Sequence, residues 1–572
     1  MKMGIGVSPG IGIGPALRYF PAVPRIPDGT PQDSGAEWER LLAALERTKQ
    51  SNAALCQATL ERAGESEAEI FEAYNEILED EDTVLTPIRG KIEAGRNAEQ
   101  AADQVFEELA QLMASLEDEH LGARASDFRD LKHTLLCELL GLRQQDLSHL
   151  TERVVLVAAA LSPADTAKLD LTQVAGILCE EGGPTSHTAI LARALGIPAV
   201  VGCKGLLDRV ADGEELCIDG STGEVLLSPD GRQRADFSQR AARYAEKQEA
   251  LQVYVNRPSV SADGHYVRFC ANIADAEEAA AAVCHGCEGI GLFRSEFLYL
   301  HSDSLPSEAT QLAAYRQALQ GAQGRPVTIR TLDVGGDKHL PCLQLEPEDN
   351  PFLGYRAIRI CLDRREIFRI QLRAILRASA EGRARILFPM ISSIEELRAA
   401  KALVEEVKAE LRQEGIAFDE QIAVGMMVEV PTAAVLADFF AQEVDFFSIG
   451  TNDLVQYVTA VDRGNPKVQA LYSHFHPAIL RLLRYSIESA HRSGIHCCVC
   501  GEAASDPAFL PVLLGLGLDE FSVSPSMIPT LRAQLSRTSY KECRELCGRL
   551  EGARTAVEAR LLAETMTARG DF

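Results

Sequence analysis

The feature that most constrains this chain is an alternation over roughly its last 310 residues. Eight short β-like runs recur there: "VRFCANI", "GIGLFRSE", "VTIRTLDVGGDK", "ARILFPMI", "IAVGMMVEVP", "FFSIGTNDL", "HCCVCGEA" and "EFSVSP". Helix-like segments such as "SIEELRAAKALVEEVKAELRQEG" separate most of them. Strands alternating with helices build parallel sheets, and eight such units over about 250 residues or somewhat more form the pattern of a (β/α)8 barrel. In that architecture functional side chains sit at the C-terminal ends of the strands, where the βα loops begin.

The ends of these runs carry polar residues. They read Asn272, Arg294 with Glu296, Arg330 with Asp333 and Lys338, Glu429, Asn452 with Asp453, and Cys500 with Glu502. Arg356 in "NPFLGYRAIR" and Arg463 in "AVDRGNP" lie in the loops that follow. The forked donors of arginine suit phosphate and carboxylate. Glu429 and Asp453 are hard oxygen ligands suited to Mg²⁺ or Mn²⁺, with water and substrate completing the shell. Together these residues predict a metal-assisted, dianion-binding barrel mouth. Each also has a plainer reading: an arginine after a strand forms surface ion pairs, and Glu429 could pair with Arg330. Cys500 could be a small buried hydrophobe. Beside arginines and a metal its pKa would instead fall, making it an acid or a nucleophile.

A second stretch, "GGPTSHTAIL" from Gly182 to Leu191, precedes this region. Gly182 and Gly183 permit a tight loop. Thr185 and Ser186 are good helix N-caps, and "TAILARALG" carries a helical apolar stripe. His187 is then expected at a helix N-terminus, where backbone N–H groups and the dipole favour an anion. A phosphate on a neutral imidazole there would meet those donors and the hydroxyls of Thr185, Ser186 and Thr188. A structural histidine remains the alternative. A zinc site would need partner ligands that the neighbouring sequence lacks.

The remaining chain has two textures. Residues 1–20 and 144–230 contain short strand-like runs punctuated by glycine and proline, the pattern of a small α/β unit. Residues 21–143 are rich in Ala, Leu and Glu, with apolar residues at three-to-four spacing, and read as a helical bundle inserted into that unit. "SQRAARYAEKQEALQVYV", Ser238 to Val255, reads as a long linking helix, and the linker helix is expected over 231–258. Residues 259–572 make the barrel, so the chain is an α/β multidomain protein.

The formal net charge is −26, which argues against nonspecific nucleic-acid binding and favours a basic protein partner or a metal. No apolar run is long enough to span a bilayer, so membrane insertion is not expected. The start "MKMGIGVSPG" lacks the pattern of a signal peptide. Fifteen scattered cysteines fit reduced thiols better than a disulfide framework, and the chain reads as cytoplasmic. "HCCVCGEA" invites a zinc reading, but adjacent cysteines suit a tetrahedral site poorly and no second matching pair appears.

"GGPTSHTAILARALGIPAVVG" resembles the phosphohistidine motif of phosphoenolpyruvate-utilising phosphotransferases. "GLFRSEFLYL", "RTLDVGGDK", "NPFLGYRAIR", "MMVEVPTAA", "FFSIGTNDLVQY", "AVDRGNP" and "CGEAASD…LGLGLDEFSVSP" are similar to the elements of their barrel. The likeness runs essentially end to end, with "SPGIGIGPA" at the start and "ASDFRDL" in the helical insertion, and is greatest to the enzyme I family of the bacterial sugar phosphotransferase system. The resemblance implies a swivelling phosphohistidine domain, a helical domain that binds the carrier protein HPr, and a TIM barrel that binds phosphoenolpyruvate and dimerises. It implies that His187 takes the phosphoryl group and passes it to a histidine of HPr. It assigns Arg294, Arg330, Arg356, Asn452, Asp453 and Arg463 to the substrate, Glu429 and Asp453 to Mg²⁺, and protonation of the enolate carbon to Cys500. Thr166, in "SPADTAKL", matches a position that can hydrogen-bond the histidine. Pro184 departs from the family, many of whose members carry arginine there. Dikinase and synthase relatives also need an ATP-binding domain, and no "GxxxxGK[ST]" occurs here.

Overall fold

The computed structural model describes residues 4–567, apart from 32, 63–64, 116–118, 143–144, 146, 149, 184–185, 301–303, 336–342, 344, 347, 464 and 466. The chain divides into two compact units, Met1–Glu246 and Lys247–Phe572. Among the described residues no helix is long and apolar enough to cross a membrane.

The first unit is built on a seven-stranded sheet. Its strands are β1 (Ile5–Ser8), β2 (Ile11–Tyr19), β3 (Val154–Ala158), β4 (Val174–Cys179), β5 (Ala199–Val201), β6 (Glu215–Asp219) and β7 (Glu224–Leu227). They lie in the order β1-β5-β4-β3-β2-β6-β7. β5, β4, β3 and β2 run parallel, while β1, β6 and β7 pair antiparallel with their neighbours. "VVLVA" and "VAGILC" are buried along their whole length, as parallel strands covered on both faces must be. Alternation sends Leu156 and Ala158 into one apolar cluster and Val155 and Val157 into another.

Between β2 and β3 the chain leaves the sheet for the helical insertion. Its main helices are Ser34–Arg62, Glu65–Glu79, Thr86–Glu93, Ala98–Ser115 and Glu119–Leu140. Asp80 caps a five-residue π-helical turn, Glu81–Leu85, by accepting from the Asp82 and Thr83 N–H groups. The helices share a core that includes Leu41, Phe71, Ile88, Phe106 and Leu135.

The linking helix begins at Gly231, earlier than the apolar periodicity from Ser238 predicts, and ends at Val255. Asp230 and Gln233 form a reciprocal cap: the Gln233 N–H donates to the Asp230 carboxylate, and the Gln233 carbonyl oxygen accepts from the Asp230 N–H. At the other end Arg532, 2% exposed, donates to the carbonyls of Tyr254 and Val255 that the helix leaves over, and to Gly286 O and Ser259 Oγ.

The second unit is the expected barrel. β8 (Arg268–Ile273), β9 (Ile290–Arg294), β10 (Val327–Arg330), β11 (Ala384–Phe388), β12 (Ala423–Val428), β13 (Phe446–Ile449), β14 (His496–Val499) and β15 (Glu520–Val523) are parallel and close on one another in chain order. Helices outside them complete one continuous apolar core. Cys497 and Cys498 are consecutive buried residues of β14. Charges fill the N-terminal end of the barrel: Arg268 donates to Glu520 at 2.9 Å, and Arg385 lies 3.7 Å from the same carboxylate. Arg385 also approaches His496, whose ring stacks on Phe446. The opposite, C-terminal end is free to carry the site.

Candidate active site

The ladder sets the first contact at the C-terminal mouth, since Arg294 and Arg330 end β9 and β10 and are register partners. Arg330 is 7% exposed and is paired with Glu296 and, at 2.8 Å, with Asp333. The other oxygen of Asp333 accepts from Arg356 at 3.0 Å. Arg356 in turn lies 3.6 Å from Asp453 and donates to the Tyr457 hydroxyl at 3.1 Å. Tyr457 donates to the carbonyl of Phe352 and so ties helix Thr451–Thr459 to the loop that carries Arg356. Gly335, at φ +100°, allows the close approach. A Cβ there would lie 2.6 Å from the Cβ of Arg356.

Glu429 follows β12 directly and is 1% exposed. One of its oxygens accepts from the N–H of Met390, which sits at φ +57°, at 2.7 Å. Burial, then the Asp453 and Asp333 charges, push its carboxyl up to about 8, against the pull of Arg330 and Arg356. The plain Glu429–Arg330 ion pair is replaced by a different arrangement, in which Arg330 is spent on Glu296 and Asp333. Cys500 follows β14, with its N–H on Ile449 O and its thiol 3.6 Å from the same carbonyl. Burial pushes the thiol up to about 11, with Glu429 adding to the shift and Ser448 and Arg330 opposing it. At neutral pH Cys500 is a thiol, a proton donor rather than a ready nucleophile.

Asn272 donates to the carbonyl of Cys500 at 3.0 Å, and Asn452 accepts from the N–H of Glu502 at 2.9 Å. A cleft of about 270 Å³ opens beside Asn452, lined also by Thr451, Tyr472, His474, Glu502 and Asp506. Arg463 lies next to Tyr472, and its backbone N–H donates to Gln456. Lys338 lies outside the described residues.

Several buried polar atoms at this mouth have no hydrogen-bond partner among the described residues: Nε of Arg294, Arg330 and Arg356, Oδ1 of Asp453 and Oγ1 of Thr451. Burial pulls the pKa of Arg294 down and Arg330 adds to it, against Glu296 and Glu278. Buried polar atoms of this kind are open to water, an ion or a substrate. Arg330 and Arg356 are both spent on the carboxylates Glu296, Asp333 and Asp453, so a divalent cation would add the positive charge that an anionic substrate needs here. Two buried carboxylates with an open shell suit Mg²⁺, which keeps waters and substrate oxygens, better than a closed cage would.

In the first unit His187 opens the helix His187–Ala194, as expected. Ser186 is the N-cap and accepts from the Ala189 N–H, whereas Thr185 and Pro184 lie outside the described residues. Thr188 donates to the carbonyl of Leu161 at 3.4 Å. The Thr166 hydroxyl donates to the carbonyls of Pro163 and Ser162 in its own helix.

Sequence reasoning missed Tyr457, Met390 and Gln371. Tyr457 is in plain view within "FFSIGTNDLVQY", but its bridging role depends on a loop about a hundred residues away. Gln371 has a signal, because it interrupts the apolar stripe of "REIFRIQLRAILRAS" three residues after Phe368 and four before Ile375.

Three family models match the chain: PEP-utilising enzyme, PEP-binding domain, over residues 248–540; PEP-utilising enzyme, mobile domain, over 150–223; and PEP-utilising enzyme, N-terminal, over 3–124. The chain is 45% identical over 540 residues to the phosphoenolpyruvate-protein phosphotransferase of Geobacillus stearothermophilus, covering 94% of this chain and 93% of the relative. The proteins of the same name from Priestia megaterium and Bacillus subtilis are 44% and 43% identical, over 94% of this chain and 94% and 95% of theirs.

Proposed function

The chain belongs to the PEP-utilising enzyme family, its activity is phosphoryl transfer from phosphoenolpyruvate to protein, and on that premise we propose how its residues divide the work. His187 attacks phosphorus. The bond from phosphorus to the enol oxygen breaks, a P–N bond forms, and the electron pair leaves with the enolate of pyruvate. Cys500 then gives its thiol proton to the enolate carbon. A thiol held up to about 11 stays protonated until a carbanion-like centre forms beside it.

Arg294, Arg330 and Arg463 hold the phosphate and carboxylate of the substrate, with Asn452 and Asp453 completing the cradle and Arg356 adding a phosphate contact. Glu429 and Asp453 would hold Mg²⁺, which would supply charge neutralisation for the transferring phosphoryl group. Little else is asked of the protein, since phosphoryl transfer depends on placement and electrostatics. The acceptor is a histidine of HPr, which docks on the acidic helical insertion. The enzyme works in the cytoplasm as a dimer joined through its barrel.

The observation that carries this reading is the buried chain Arg330–Asp333–Arg356–Asp453, in which Nε of Arg330, Nε of Arg356 and Oδ1 of Asp453 have no hydrogen-bond partner among the described residues. It is tested by incubating the protein with phosphoenolpyruvate, Mg²⁺ and HPr. Pyruvate and phosphorylated HPr should form in equal amounts. Phosphorylation that needs ATP instead would overturn the reading.

A further inference from the structure

A buried carboxamide joins the two turns that carry the first arginines. Gln371 lies on the inward face of helix Arg365–Ser379 and is 0% exposed. All of its principal bonding capacity is used. Its amide donates to Ser295 Oγ at 3.0 Å and to the Tyr315 hydroxyl at 3.1 Å, and its carbonyl oxygen accepts from the Leu332 N–H at 2.9 Å. Ser295 then donates to the carbonyl of Arg330 at 2.6 Å. Tyr315 is held by donating to Gln311 at 3.0 Å. Ser295 stands between Arg294 and Glu296, and Leu332 stands between Arg330 and Asp333.

The sheet alone does not fix these turns. Pairing between β9 and β10 is irregular, with a register shift between Val327 and Ile329, and it ends at Arg294 and Arg330. Beyond that point residues 295–296 and 331–333 have left the β9–β10 ladder. Gln371 bonds to one backbone directly and to the other through Ser295. Guanidinium groups that stabilise a transferring phosphoryl group must be held to within a fraction of an ångström, and that precision comes from packed, hydrogen-bonded supports.

We infer that Gln371 is a positioning residue for the phosphoenolpyruvate reaction: through Leu332 N–H and Ser295 it holds the turns that follow Arg294 and Arg330, which carry Glu296 and Asp333, the carboxylates that orient the Arg330 guanidinium. The inference rests on the reading of the barrel mouth given above. It assigns Gln371 no contact with substrate. Its effect is confined to the step that uses the two arginines. Phosphoryl exchange between phosphorylated HPr and His187 does not use them.

The test uses the full-length protein with Gln371→Met, which keeps length and shape but removes the hydrogen bonds, and the milder Ser295→Ala. Three quantities are measured: the rate of His187 labelling from phosphoenolpyruvate, the rate of exchange with phosphorylated HPr, and the thermal midpoint. Q371M should slow labelling about tenfold or more, as expected for a displaced reacting partner, and leave exchange within about twofold. S295A should slow labelling about threefold or more, and Q371M added to it should do less than it does alone, because both act through one linkage. Labelling at the wild-type rate in folded Q371M, or equal losses in labelling and exchange, would overturn the inference. If Q371M does not fold, an unchanged labelling rate in S295A has the same force. Failure of the wild type itself to take label from phosphoenolpyruvate would instead overturn the underlying reading.

Discussion

At the scale of single residues, the mouth is a set of buried charges that hold one another in place. Arg330 is the hinge of the set because Glu296 and Asp333, 0% and 3% exposed, both pair with it. Arg330→Met should destabilise the protein by about 3–5 kcal/mol, since it removes the cation paired with buried Glu296 and leaves Asp333 to Arg356 alone. Arg330→Lys keeps the charge but not the fork. It should lose less stability than R330M yet still slow phosphoryl transfer from phosphoenolpyruvate by about 10² or more. Denaturant unfolding and initial rates check both, and an R330K enzyme with wild-type rates would contradict the role given to the fork. The charged members of this site were legible because they sit at the ends of recognisable strand runs. Gln371 and Met390 were not, because a polar residue in an apolar stripe and a methionine after a strand acquire meaning only from what folds against them.

At the scale of elements, all eight barrel strands were legible as short apolar runs, six of them closed by polar residues. The start of the linking helix rests on a cap rather than on apolar periodicity: Asp230 and Gln233 begin it at Gly231, ahead of the pattern from Ser238. The charged base of the barrel was not legible either, since Arg268, Arg385, His496 and Glu520 are scattered across four strands. Burial, then Arg385 and Arg268, hold His496 below its ordinary value, against Glu520 and Asp519. The folded protein thus keeps this ring neutral where the unfolded chain protonates it. The stability it contributes is fully present above about pH 6.5 and is lost as pH falls toward the depressed folded value. Between pH 7 and 5, the wild type should lose more in its thermal midpoint than His496→Gln does, by about 2 °C or more. A larger loss in H496Q would contradict the sign.

At the scale of the molecule, the strongest regularity is the division of labour between the units. The first carries the candidate phosphoryl acceptor on a capped helix and the acidic helical insertion; the second carries the barrel mouth. With a net charge of −26, an encounter with a basic carrier should be steered by charge, and exposed charges are screened by salt. Raising ionic strength from about 0.05 to 0.5 M should therefore raise the KM for HPr about threefold or more. Labelling from phosphoenolpyruvate without carrier should change by less than about twofold over the same range. A KM for HPr that ignores salt would remove the acidic insertion from the docking account. The central claim is tested most directly by locating the phosphoryl group. After incubation with radiolabelled phosphoenolpyruvate and Mg²⁺, acid-labile label should map to the peptide that contains His187 and be absent from His187→Ala; undiminished label in H187A, or label on another residue, would contradict the account.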